Sequence, residues 1–181
     1  EGRGYPGPRR ARRGEEADPL DVVAPARLSP GDLVDVLRAL AAEPERWRPR
    51  VHHLVSRRYY ERVVAAEDHE VWLICWDVGQ MTLLHDHGSS AGAFLVVDGL
   101  LLEDYGRPGS GRLRQRLVRR GRPHAFGPSY VHNLANPGPG LATSLHAYSP
   151  RLTTMAYYAV LPGGAVPVRT MPVQHPEPTA S

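Results

Sequence analysis

The stretch Leu83-Leu84-His85-Asp86-His87 decides how this chain is read. Successive side chains of an extended strand point to opposite faces, so His85 and His87 share one face and Asp86 takes the other. The same alternation returns in Thr143-Ser144-Leu145-His146-Ala147-Tyr148, where Ser144, His146 and Tyr148 share a face. Around these stretches (81–86 and 141–148) lie short segments rich in Val, Leu, Trp, Tyr and Phe, at 59–66, 70–76, 92–98, 100–105, 112–119, 130–136 and 153–160. Gly, Pro or Asp separates most of them, and no helical period intervenes. Nine short strands at this spacing predict an antiparallel sandwich or barrel.

One helix is expected ahead of the strands. Ser29 suits the N-cap, Pro30 the first helical position, and Asp32 can reach back to a free N–H. Leu33, Val36, Leu37 and Leu40 then form one apolar stripe, and Pro44 ends it. A weaker helical stretch is expected over 45–55. Residues 1–19, rich in Gly, Pro and Arg, predict a disordered tail. Residues 20–161 form one domain on this reading, and 162–181 an irregular, Pro- and Gly-rich tail.

The chain has 181 residues, of which 41% are hydrophobic and 23% charged, ordinary values for one globular domain. Its 22 basic residues are all arginine and stand against 19 acidic ones, a net charge of +3. Arg3, Arg9, Arg10, Arg12 and Arg13 crowd the first 13 residues. Without them the chain is close to neutral, so a nucleic-acid partner is not expected. The apolar runs are too short to span a bilayer, so neither is a membrane. Cys75 is the one cysteine, which excludes an internal disulfide and fits a reducing compartment. With no secretory signal visible in the sequence, a cytoplasmic location is expected.

Two imidazoles side by side on a strand face make either a solvated hairpin end or a clamp on a metal ion. Leu83 and Leu84 lead into the pair and favour an interior position. His132, on a later strand, can supply a third nitrogen. Three neutral imidazoles suit a divalent first-row metal and leave positions open for substrate. The row Ser144, His146, Tyr148 is either a polar outer strand face or a hydrogen-bonded row in a functional interior.

Taken together, these residues resemble the cysteine dioxygenase family of the cupin superfamily. Gly79, His85, His87 and Gly99 stand at the spacing of its first motif, and Gly121, His132 and Asn136 at that of its second. Ile74-Cys75-Trp76 and Ser144-Leu145-His146-Ala147-Tyr148-Ser149-Pro150 are similar to the family too, and Tyr60-Glu61-Arg62 resembles its Tyr-x-Arg. The resemblance covers roughly residues 28–160. It implies a mainly β fold, an antiparallel cupin (jelly-roll) barrel with a short N-terminal helical cap. It further implies a mononuclear Fe(2+) on His85, His87 and His132, with O2 as co-substrate and L-cysteine oxidised to cysteine sulfinic acid. In this register Arg62, with Tyr60 beside it, grips the substrate carboxylate through its planar fork. Tyr148, oriented by His146 and Ser144, serves the bound substrate. A monomer whose partner is a small thiol is expected.

The chain also departs from the pattern. Gly92 stands where ordinary cupins carry a glutamate ligand and where the animal enzymes carry a cysteine cross-linked to the active-site tyrosine. Tyr148 is therefore expected to be unmodified. Gly127 and Ser129 replace the Pro and Gly of the second motif. Relatives acting on 3-mercaptopropionate carry Gln at the position matched by Arg62, so the arginine favours cysteine. The alternatives are the same chemistry on another small thiol, such as 3-mercaptopropionate, cysteamine or a thiol of a biosynthetic pathway, and a non-catalytic metal-binding cupin.

Overall fold

The structure is a computed structural model that describes residues 27–173. The expected tail over 1–19 and the last residues of the expected C-terminal tail, 174–181, lie outside the described residues.

Helix α1 (Pro30–Ala41) begins on a reciprocal cap: Ser29 Oγ accepts the Asp32 N–H, and the Asp32 carboxylate accepts the Ser29 N–H at 2.8 Å. Its Leu33, Leu37 and Leu40 are buried. Helix α2 (Pro44–Trp47) follows and tightens into a 3-10 turn over Arg48–Arg50. The helix expected over 45–55 is thus cut short, because Pro49 brings no N–H to continue the ladder. No helix among the described residues is long and apolar enough to cross a membrane.

Ten strands follow: β1 (Tyr59–Ala65), β2 (Glu70–Trp76), β3 (Ala91–Asp98), β4 (Leu100–Gly106), β5 (Arg114–Arg119), β6 (His124–Phe126), β7 (Val131–Ala135), β8 (Ala142–Ser149), β9 (Thr154–Leu161) and β10 (Gly164–Pro172). One sheet runs β1-β2-β8-β3-β6; β5-β4-β7 and β10-β9 are paired separately. Every pairing is antiparallel. The segment 81–86 joins the two smaller groups, since His85 bridges His132 on β7 and Tyr157 on β9. This segment pairs through isolated bridges rather than the continuous strand expected from its sequence.

Two features correct the sequence reading. His124–Phe126 is a short strand on the edge of β3, between the strands expected over 112–119 and 130–136. Residues 164–172 are strand, not irregular tail: β10 pairs with β9 from Gly164↔Leu161 to Pro172↔Thr154. Pro167 and Pro172 are tolerated because β10 is an edge strand, with one face of its hydrogen-bonding ladder unpaired.

The core has two layers, divided by strand parity. Val71, Leu73, Cys75, Leu95, Leu145 and Ala147 point outward from the large sheet and pack under Leu33, Leu37, Leu40 and Trp47 of the helical cap. Full burial of each such aliphatic side chain contributes about 1.5–3 kcal/mol. Ile74, Trp76, Phe94, Leu101, Phe126, Leu134 and Tyr148 point the other way and fill the barrel. Both faces of β8 are therefore buried along its whole length. Ser144, His146 and Tyr148 lie on the barrel side, which removes the solvated outer face as an alternative.

Gly92, on β3 opposite Tyr148, shows how tightly the interior is filled. A Cβ there would press into the Phe126 ring and lie 3.1 Å from Cδ1 of Tyr148. Phe126 cannot yield freely, being stacked on His87 at 4.9 Å and on Tyr130 at 4.8 Å. Gly92→Ala is expected to cost about 1–3 kcal/mol by overpacking. A thermal melt should show it as a drop of about 2–4 °C per kcal/mol for a chain of this size. An unchanged Tm would show that the interior has slack at this point.

Candidate metal centre

Three elements bring three histidines to one point. His85 and His87 come from the segment that bridges the two smaller strand groups, and His132 from β7 directly beside it, with His85 and His132 exchanging backbone hydrogen bonds at 2.9 Å. One nitrogen from each ring lies within 4.8 Å of the other two. The ring centroids form a nearly equilateral triangle with sides of 4.9, 4.9 and 5.0 Å. All three residues are buried, at 0, 1 and 0% exposure, which excludes the solvated-hairpin alternative.

The hydrogen bonds fix which atoms converge. His85 Nδ1 donates to the Leu83 carbonyl at 2.7 Å, and His132 Nδ1 donates to Glu103 Oε1 at 2.8 Å. Each ring then presents an unprotonated Nε2 to the interior, and neither Nε2 has a hydrogen-bond partner. Neither nitrogen of His87 has one. Buried acceptors without partners are costly, and a cation among them removes that cost. Burial, followed by the proximity of His132, holds His85 well below the usual histidine range; burial and the proximity of His85 do the same for His87. His85 and His87 are thus held in the neutral form that ligates a metal. Three imidazoles with nitrogens within 4.8 Å of one another fit a mononuclear divalent first-row ion.

Asp86, between the two ligands, ties this segment to its surroundings. Its carboxylate accepts the Gly88 and Ala156 N–H groups at 3.0 Å each and the Tyr158 hydroxyl at 2.7 Å. Burial and this hydrogen bond push the Tyr158 hydroxyl up to about 12.

Glu103 is a functional residue that the sequence reading missed. It is fully buried on β4 and accepts from His132, from Arg116 Nε at 2.6 Å and from the Tyr130 hydroxyl at 2.8 Å. Burial raises its carboxyl, but the bond from His132 and the Arg116 charge outweigh burial and hold it below the ordinary range. A carboxylate behind a metal-facing histidine fixes its tautomer and raises its basicity. Strand parity carried the signal, because Leu101, Glu103 and Tyr105 share the inward face.

The row on β8 forms a connected chain. Trp76 Nε1 donates to Ser144 Oγ at 2.9 Å, and Ser144 Oγ lies 2.8 Å from His146 Nε2. An indole N–H only donates, so the Ser144 hydroxyl proton is left available to His146 Nε2, in the tautomer assigned to this row. In that tautomer His146 carries its proton on Nδ1, which faces the Tyr148 oxygen at 3.5 Å. Burial holds His146 well below the usual histidine range. The Tyr148 ring stacks on His87 at 4.9 Å, placing the end of the row against a metal-facing ligand.

Arg62 is placed differently from the sequence expectation. Its side chain is 46% exposed, lies near the β1–β2 hairpin end and bonds Glu70 Oε2 at 3.3 Å. The buried guanidinium on this face belongs to Arg58, which is 2% exposed and sits 5.0 Å over the Trp76 ring. Its charge helps hold both His85 and His146 down, so it reaches the interior beside them. Tyr60 shares the inward face with Arg58 and is half-buried against Trp72. Of the other sequence candidates, Cys75 lies under the helical cap and burial pushes its thiol up. Asn136 ties a turn, donating to the Trp76 and Gly140 carbonyls.

Comparison with known proteins agrees with this geometry. The cysteine dioxygenase type I family matches residues 20–160. Among curated proteins none matches the chain. The chain is similar to the TT1209 protein of Thermus thermophilus, with a TM-score of 0.51 and 17% identity over 57% of this chain and 93% of that one. It is also similar to a cupin superfamily protein of Desulfitobacterium hafniense, with a TM-score of 0.48 and 8% identity over 57% and 87% of the two chains. At 17% identity the likeness to TT1209 shows the fold alone.

Proposed function

We propose that this chain, which belongs to the cysteine dioxygenase type I family, is an iron-dependent thiol dioxygenase that converts L-cysteine to cysteine sulfinic acid. The balance is RSH + O2 → RSO2H: sulfur gains two oxygen atoms, both from dioxygen, and no external reductant is needed. The observation that carries the proposal is the closed triangle of His85, His87 and His132, with unpartnered nitrogens facing a lumen that also holds Arg58 and Tyr148.

Bound there, ferrous iron would supply a 2+ centre, uncompensated by its neutral ligands, that lowers a thiol's pKa and brings sulfur and dioxygen together. The residues of the chain do the rest. Arg58 offers a rigid, permanently charged fork suited to a carboxylate, and its place over Trp76 fixes that fork's direction. We assign it the carboxylate role in place of Arg62, with Tyr60 beside it on the same strand face. The interior favours an amino acid thiol over cysteamine, because a planar guanidinium fork matches a carboxylate and finds no counterpart on cysteamine. Tyr148 is held by His146 and Ser144 and directs its hydroxyl at the bound substrate. Phe126 and Tyr148 sandwich His87 and keep water from the ligand rings. The row is not an acyl-transfer triad, since His146 lies between Ser144 and Tyr148 and activates neither toward a carbonyl.

Glu103 supplies the negative charge that no residue can supply at position 92. Glu103→Gln keeps the shape and removes the charge behind His132. Iron affinity, measured by competition with a chromogenic chelator, is expected to fall about 10–100-fold. An unchanged affinity would reduce Glu103 to packing.

The reaction itself is tested by loading the chain with ferrous iron and offering L-cysteine, 3-mercaptopropionate and cysteamine in parallel. Sulfinate formation from L-cysteine, well ahead of the other two, is the expected result. Preference for 3-mercaptopropionate or cysteamine would keep the chemistry and replace the substrate.

A further inference from the structure

A cavity of about 510 Å³ lies where Tyr105, Arg114 and Tyr130 meet the loop that carries Arg107, Ser110 and Arg112. No carboxylate lines it. Among the described residues, none of its three arginines takes part in an ion pair. Three guanidinium groups around one cavity repel one another, and a bound anion relieves that repulsion.

The loop is held in place rather than free. Ser110 Oγ donates to the Arg107 carbonyl at 2.7 Å and accepts the Arg107 N–H at 3.3 Å. The Gly109 N–H donates to the Ala165 carbonyl on β10 at 3.0 Å. Gly164 packs so closely beneath Ser110 that a Cβ there would collide with its carbonyl, and its φ of +116° suits glycine alone. The third arginine, Arg114, opens β5 directly opposite Tyr105. The floor is made of the stacked Tyr105 and Tyr130 rings, 5.9 Å apart and tilted by 23°. Arg116 is already committed, to Glu103 and to the Tyr105 face at 4.3 Å, so it fixes the floor and leaves the other three free to bind.

We propose that this cavity binds a small organic molecule bearing a multivalent oxyanion, a phosphomonoester or a polycarboxylate. Planar guanidinium forks match both oxyanions through paired hydrogen bonds. An inorganic ion would leave most of the volume unfilled, whereas an organic body can lie on the tyrosine floor. The site is distinct from the metal centre, but the two share a wall: Tyr130 also donates to Glu103, which holds His132.

The test is isothermal titration of the iron-loaded full chain at low ionic strength with inorganic phosphate, phenyl phosphate and tricarballylate. One of the two organic anions is expected to bind saturably near one per chain, more tightly than inorganic phosphate. Which one it is identifies the oxyanion. The double variant Arg112→Ala/Arg114→Ala should weaken that binding at least 10-fold, and added chloride should weaken it too. Arg120→Ala, outside the cavity, should leave it unchanged. Two results would overturn the proposal: no saturable binding of either organic anion, or equal binding by the double variant. The latter would move the anion to other arginines, such as those among the first 13 residues.

Discussion

His87→Ala and the better-filling His87→Leu are expected to fold and to lose the metal. His87 is 1% exposed and stacked between Phe126 and Tyr148, so truncation to alanine opens a cavity and costs about 2–5 kcal/mol. Leucine fills much of that space and removes only the nitrogens, which separates metal loss from unfolding. Losing one of three ligands costs more than losing a residue behind a ligand, so iron affinity should fall by more than about 100-fold. Metal analysis after desalting should find near-stoichiometric iron in the parent chain and almost none in either variant. Thiol oxidation should fall to background while the melt of the leucine variant stays cooperative. Iron retained at the parent level by the leucine variant would remove His87 from the ligand set.

The second large effect is expected at Arg58. Two charge-assisted hydrogen bonds to a carboxylate are together worth about 3 kcal/mol, or roughly 100-fold in kcat/KM. Arg58→Gln should therefore lose about that much with L-cysteine and only a few-fold with cysteamine, which has no carboxylate. Arg62→Gln removes an ion pair between a half-exposed guanidinium and the buried Glu70 carboxylate, which still accepts the Leu152 N–H, so its cost falls on stability and not on the substrate. Its kcat/KM should change less than about five-fold with either thiol. If the two variants behaved the other way round, Arg62 would hold the carboxylate and Arg58 would be a core cation.

What the sequence made legible follows from strand parity. His85 with His87, and Ser144 with His146 and Tyr148, needed only the two-residue repeat to be placed on shared faces, and the barrel puts both faces inward. Parity cannot give depth, however. Arg58, Tyr60 and Arg62 share one face, but only the pairing of β1 with β2 shows which of them reaches the interior. Arg62 lies opposite Trp72 near the hairpin, whereas the strand begins at Tyr59 opposite Cys75, next to the deeply buried Trp76. Glu103 was hidden for another reason. A carboxylate in Leu102-Glu103-Asp104 reads as solvated, and its partners Arg116, Tyr130 and His132 come from β5, from the turn before β7 and from β7 itself. Strand β10 was obscured by its composition, since Gly163, Gly164, Pro167 and Pro172 signal a loop unless the strand is known to lie at an edge. The short β6 was missed because three residues are too few to show alternation.

The central claim is that three histidines hold one iron that adds both atoms of dioxygen to a thiol sulfur. The most direct test is anaerobic reconstitution with ferrous iron, followed by single-vessel measurement of oxygen uptake and product mass under 18O2 with L-cysteine. The account predicts one dioxygen consumed per cysteine and a sulfinate carrying two labelled oxygens. Iron bound at the three histidines with cysteine left unchanged, or converted only to its disulfide without label, would contradict it.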